Sequence, residues 1–128
     1  MVELAGEVKL GALSPDGEAI AALAQSTANM GVFAYASAAA GAKFDLAVRA
    51  FVGNGRRFKD AVSGAANAVL AAWLASRDAL PSAERRYVAS QGREVGFDAR
   101  LELAIDADGE VWSGGGVQTV IRGHIEWP

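Results

Sequence analysis

Asp60 stands three residues before Ser63, and Ser63-Gly64-Ala65-Ala66 opens an alanine-rich run that continues through Trp73 and Leu74. If this run is a helix, its first turn is where chemistry can sit. A helix N-terminus leaves backbone N–H groups unpaired, and side chains this small leave them open to a carboxylate or phosphate, with Asp60 alongside. The same residues also make an ordinary helix start. Ser63 then only caps the helix and Asp60 only complements its dipole, a stabilisation of about 0.3–1 kcal/mol that needs no ligand.

Other reactive side chains are few. The chain of 128 residues has no cysteine and a single histidine, His124. That excludes disulfide scaffolds, thiolate metal sites and Cys nucleophiles, and argues against a His-based metal site, so neither metal nor cofactor is expected. His124 has no matching acid and nucleophile at triad spacing and reads as a solvent-facing strand residue. Arg56-Arg57 and Arg85-Arg86 offer anion grips or plain solvated loop charges. Gly114-Gly115-Gly116 lacks the strand-to-helix context and the lysine of a phosphate loop. Twelve basic against 15 acidic residues give a net charge of −3, with never more than two basic residues in a row. A nucleic-acid backbone is therefore not an expected partner.

The surrounding elements can be read from spacing. Ser14-Pro15-Asp16-Gly17-Glu18 supplies a cap, a first-turn proline and two acids for a surface helix from about Pro15 to Ser26. Val32 to Ala36 reads as a strand, and Ala38 to Gly41 as a loop. Lys43 to Phe51 alternates, with Phe44, Leu46 and Val48 on one face and Lys43, Asp45 and Arg49 on the other, which predicts a half-buried strand. A glycine-containing loop with Gly53 and Gly55 precedes the alanine-rich segment. That segment predicts a helix from Gly64 to about Ala75 with Val69, Leu70, Trp73 and Leu74 buried. It carries no charge before Arg77, so it should be enclosed by sheet. In the last third, Leu101, Leu103 and Ile105 alternate, Asp106-Ala107-Asp108-Gly109 supplies hairpin chemistry, and Val111-Trp112 begins the return. Val117 to Trp127 alternates again and predicts a final strand.

The charge-free span from Ala19 to Ala42 is interrupted by Gln25, Ser26, Thr27 and Asn29, which argues against a membrane helix. The acidic start Met1 to Glu7 lacks the basic lead of a secretory signal, so the expected compartment is the cytoplasm. With no linker in sight, residues 1–128 are expected to form one α+β domain, with β strands wrapped on one buried helix.

Motifs in this order resemble the second half of the phenazine-biosynthesis PhzF-like family. Arg49-Ala50-Phe51 and the stretch from Lys59 to Leu74 match a pattern of R-x-F followed by E-D-P-x-T-G-S-A-N and an alanine-rich helix. Gln91-Gly92 with Gly96 matches Q-G-x-x-x-G, and Val111 through Gly123 resembles the terminal glycine-bearing strands. The resemblance implies one lobe of the diaminopimelate epimerase-like fold, a mixed, curved, barrel-like sheet wrapped around one central buried helix, in proteins whose two pseudo-symmetric halves enclose the active site. It also implies that the N-terminal lobe, which holds the isomerase branch's proton-transferring glutamate, is absent here. Carried over, Asp60 faces the substrate without sufficing as acid or base, and Ser63, Gly64, Ala65 and Gln91 bind it. Lys59, Ala61, Ser63 and Ala65 depart from the pattern, as does Phe97-Asp98 where Arg-Pro is frequent. The hydroxyl lost at Ala65 is worth about 0.5–1.5 kcal/mol to a ligand.

The expectation is then a half-protein that is not catalytic alone, that forms a homodimer or pairs with a separate N-terminal-half chain, and that binds a small carboxylate metabolite. The alternatives are a subunit of a PhzF-like isomerase completed by a second chain, without metal or thiol chemistry, and a purely structural module. Neither nucleic acid nor membrane is an expected partner.

Overall fold

A computed structural model describes residues 1–53 and 62–127. The chain runs β1 (Val2–Glu3), α1 (Glu7–Gly11), α2 (Gly17–Thr27), β2 (Gly31–Ser37), β3 (Leu46–Val52), α3 (Gly64–Ala75), β4 (Arg86–Gln91), a 3-10 turn (Arg93–Val95), β5 (Ala99–Ile105) and β6 (Val111–Gly114). The strands form one open sheet in chain order. Pairing is parallel for β1 with β2 and for β3 with β4, and antiparallel elsewhere. The expected α+β class with a mixed, curved sheet packed against α3 is what the chain adopts.

Alternation along β3 separates two cores. Leu46 and Val48 join Leu70, Ala71 and Leu74 of α3, with Tyr35, Tyr87, Ala89, Leu101, Leu103 and Ile105, on one face of the sheet. Ala47 and Phe51 join Leu10 of α1 with Ala34 and Ala36 on the other, where Ile20 of α2 also packs. Helices thus cover both faces, and Leu46 through Phe51 are all buried. This corrects the expectation of a half-buried strand starting at Lys43. The polar residue that was to face water, Arg49, is instead drawn inside. Its Nη1 donates to the carbonyls of Leu10 at 2.9 Å, Gly11 at 3.2 Å and Leu13 at 2.9 Å. Its Nε lies 3.8 Å from the Glu94 carboxylate, and the guanidinium sits over the Phe51 ring. Those carbonyls lie at and just beyond the end of α1, where carbonyls keep lone pairs that the helix does not use, so the buried cation is met by acceptors.

The other departures have equally local causes. Asp16, not Ser14, caps α2: its Oδ1 accepts from the amides of Glu18 at 3.0 Å and Ala19 at 3.1 Å, which starts the helix at Gly17. Ala28, at φ 52°, ends it in the left-handed conformation. Leu70 and Leu74 are buried as expected, but Val69 is 54% exposed and Trp73 only half-buried. The open sheet reaches round one side of α3 and leaves the other to solvent. No strand forms between Val117 and Trp127: the chain leaves the sheet after β6, and this segment pairs with no strand among the described residues. The Asp106 hairpin forms as expected, its Oδ1 accepting from the amides of Asp108 and Glu110 and Gly109 taking φ 87°.

Glu7, in the first turn of α1, accepts from the Ala39 amide at 2.8 Å and from Arg93 at 2.9 Å. It thereby links α1 to the loop after β2 and to the 3-10 turn. The hydrogen bond from the Ala39 amide, against the opposing effect of desolvation and with help from Arg93, holds its carboxyl below the usual carboxylate value.

Two predictions concern this framework. Leu70→Ala removes a fully buried side chain between α3 and the sheet and should cost about 2–5 kcal/mol in chemical denaturation. A loss below about 1 kcal/mol would contradict the packing of α3 described here. The lowered Glu7 carboxyl contributes stability above its unfolded value and loses it as pH falls through the still lower folded value. The stability advantage of the natural chain over Glu7→Gln should therefore shrink between about pH 7 and about pH 3. An advantage that does not change with pH counts against the contact.

Candidate functional site

The first turn of α3 is built on Ser63, which holds extended backbone at φ −138° and accepts a hydrogen bond at Oγ from the Ala66 amide at 3.2 Å. A second layer fixes that turn to the sheet. Gln91, the last residue of β4, is 1% exposed, and its Oε1 accepts from the Ser63 amide at 3.2 Å and from Asn67 Nδ2 at 2.8 Å. Asn67 Nδ2 also donates to the Ser63 carbonyl at 2.9 Å. Strand end, cap and helix interior are therefore joined through two buried amides, where low dielectric strengthens each bond and penalises its loss. Asn67 Oδ1 is buried and has no hydrogen-bond partner among the described residues.

Glycine then steers the chain away. Gly92 takes φ 94° directly after Gln91, a conformation other residues rarely adopt, so β4 ends there and the 3-10 turn begins. On the helix side, Gly64 and Ala65 are exposed, and neither side chain shields the first-turn amides. A methyl group added to Gly64 would lie 3.7 Å from Ser113 Oγ of β6, so that hydroxyl stands at the edge of the same turn.

The structure thus brings together Ser63, Gly64, Ala65 and Gln91. Asp60, together with Lys59, Ala61, Arg56 and Arg57, lies outside the described residues. Two residues of this neighbourhood were not singled out as site residues from the sequence. Asn67 is the only polar side chain between Gly64 and Ala75, and that isolation was its available signal. Ser113 carried none, since its place depends on how β6 crosses the start of α3.

The remaining candidates sit elsewhere. Ser90 and Asp98 project from the opposite face to Gln91. Arg100 donates to both Asp98 oxygens and, at 2.8 Å, to Ser90 Oγ. These bonds, Arg100 foremost, hold the Asp98 carboxyl below its usual value. Asp98, in the departure Phe97-Asp98, is thus an ion-pair partner and no part of the α3 turn. Arg85 reaches the Ile105 carbonyl at 3.4 Å, Arg86 is exposed, and His124 lies in the extended segment after β6. A cleft of about 430 Å³ lined by Glu3, Tyr35, Asp45, Leu74 and Pro81 opens at the other end of α3. There burial, with Glu3 accepting its proton at 3.1 Å, pushes the Tyr35 phenol up to about 12. Among the described residues no three acidic or imidazole side chains cluster to hold a metal, and no helix is long and apolar enough to cross a membrane.

Comparison with known proteins points one way. No curated protein sequence matches the chain. Solved structures do, among them a PhzC/PhzF phenazine biosynthesis protein from Clostridium difficile, with a TM-score of 0.61 and 18% identity over 94% of this chain and 43% of that one. Another is the PhzF-family phenazine biosynthesis protein of Bacillus anthracis, with a TM-score of 0.63 and 16% identity over 93% of this chain and 44% of that one. At such identity the likeness speaks for the fold, and the chain spans under half the length of these relatives. The PhzC-PhzF family profile, described as phenazine biosynthesis-like protein, matches residues 1–123. With a profile covering all but the last five residues and a shared fold, the chain belongs to the PhzC/PhzF family of phenazine biosynthesis-like proteins.

Proposed function

We propose that this chain is one lobe of a PhzF-like architecture, that it self-associates to restore a two-lobed cleft, and that it binds a small carboxylate metabolite at the first turn of α3 without turning it over alone. The carrying observation is the Gln91–Asn67–Ser63 network, which fixes an open, amide-bearing helix start beside a buried acceptor, Asn67 Oδ1, that has no donor among the described residues. The amides of Gly64 and Ala65 suit a carboxylate. Asp60, as the sequence reading has it, repels a simple anion, which favours a ligand with an amine or hydroxyl beside its carboxylate, such as an amino-acid-like or anthranilate-like compound. The Ser113 hydroxyl stands close enough to take over part of what Ala65 lacks.

Turnover by proton transfer at carbon needs a group placed to take that proton. In this reading the group comes from outside the lobe: among the described residues the first turn of α3 supplies only donors, a cap and the Gln91 amide, and Asp60 does not suffice as acid or base. The ligand is held and oriented; it is not activated.

Titration with anthranilate and with benzoate, followed by NMR, tests the reading. Anthranilate should shift the Gly64 and Ala65 amides saturably, and benzoate should bind more weakly. Gln91→Leu releases Ser63 and Asn67 and should weaken binding roughly tenfold, about 1.4 kcal/mol, with the fold retained by circular dichroism. Asp60→Ala should narrow the preference for anthranilate over benzoate. Amides that stay in place with every ligand would leave the first turn of α3 a purely structural feature.

A further inference from the structure

The segment after β6 has the composition of a strand and the surroundings of none. Val117, Ile121, Ile125 and Trp127 fall on one side of an alternating pattern and are 94%, 86%, 88% and 90% exposed. Among the described residues, none from 115 to 127 takes part in a hydrogen bond. Eleven residues in this state leave both backbone polar groups and large apolar side chains to water, an arrangement that β-formers correct by pairing with a sheet edge. Their own sheet does not receive them: the chain leaves β6 at Gly114-Gly115-Gly116 and returns to no strand.

A matching deficit lies on α3. Beyond its first turn, its outward side presents Val69 and Ala72, with Trp73 half-covered, and no charged residue occurs from Gly64 to Ala75. Beside it runs β6, on which α3 packs and whose edge away from β5 is unpaired. A strand laid along that edge continues the curved sheet round the uncovered side of the helix. Its apolar face meets Val69, and Gln118, Arg122, His124 and Glu126 stay in water.

We infer that residues 117–127 are an exchanged strand, which pairs with the free edge of β6 in a second copy of this chain and covers that copy's α3. The inference rests on the self-association proposed above and names the segment that performs it. A second copy is the occupant because donor strand and acceptor face are both present on each chain. One two-fold axis then satisfies both at once. The chain leaves the sheet directly after Gly114, the last residue of β6, and at Gly116 nothing of the fold lies within 4 Å of an added side chain, so the backbone there is free of packing constraints.

Light scattering on the full chain and on a chain ending at Gly116 tests the exchange. The full chain should show twice its 13.2 kDa mass, and the shortened chain a single-chain mass with an unchanged far-ultraviolet spectrum. Ile121→Lys and Val69→Lys, each in the full chain, should weaken the dimer by about tenfold or more. Because the chain has no cysteine, Ile121→Cys and Val69→Cys proteins can be mixed and joined by a short bis-maleimide, which should yield the mixed dimer. A shortened chain that keeps the double mass overturns the exchange and leaves self-association standing. A full chain that stays monomeric at every concentration overturns both.

Discussion

A guanidinium buried in the middle of the sheet ties the two sides of this protein to one strand. Arg49 is enclosed between β3 and α1, and its cost in lost hydration is met by three carbonyls at and just beyond the end of α1. Removing such a group strands those acceptors, and removing the carbonyl geometry strands a charge, so neither partner is stable in its place without the other. A helix of only five residues has little stability of its own, and this anchorage is what sets α1 on the sheet. The neighbouring position does the same work on the other face. Val48 pairs in register with Gln91, and Gln91 fastens the start of α3 through Ser63 and Asn67. The parallel pair β3 and β4 therefore holds a polar anchor on each side, within one residue of each other in the ladder.

That arrangement explains which parts of the fold can be read from the sequence. The Asp106 hairpin, the β2 and β3 strands and the Ser63 start of α3 are all specified by neighbours a few residues apart, and spacing finds them. Arg49 looks outward by alternation because period two says which side a residue faces and nothing of what covers that side. With α1 laid over it, the polar face of β3 becomes an interior, and a residue that reads as solvated turns into the link between layers. The two-residue β1 and the short α1 have no period long enough to detect. The choice of Asp16 over Ser14 rests on which oxygen meets the Glu18 and Ala19 amides, a matter of backbone geometry.

The candidate site divides in the same way. Ser63, Gly64 and Ala65 are contiguous, and their likeness to a known pattern supplies Gln91 from 28 residues away. What the pattern does not convey is why Gln91 matters: its side-chain oxygen binds Ser63 and Asn67, so its measurable effect is on the placement of the helix start. Ser113 enters only through the packing of β6 against α3. Conversely, the prediction that an uncharged helix must be enclosed was correct in its physics and incomplete in its reach, because one chain supplies sheet for only one side.

Where the chain keeps the family pattern and where it departs from it then acquire a physical sense. Arg49, Asn67, Gln91 and Gly92, which keep the pattern, and Ser63, which keeps a capping hydroxyl where the pattern has threonine, each hold helix, strand or turn in place, and losing any one leaves a buried group unpaired or a backbone strained. Ala65 is exposed on the first turn of α3, so its side chain contributes little to the packing of the fold. A position like this is constrained only by what docks against it. The lobe can therefore keep the framework of a binding turn while relaxing the contacts around it: Gln91 and Asn67 still place the helix start, whatever side chains its first turn exposes.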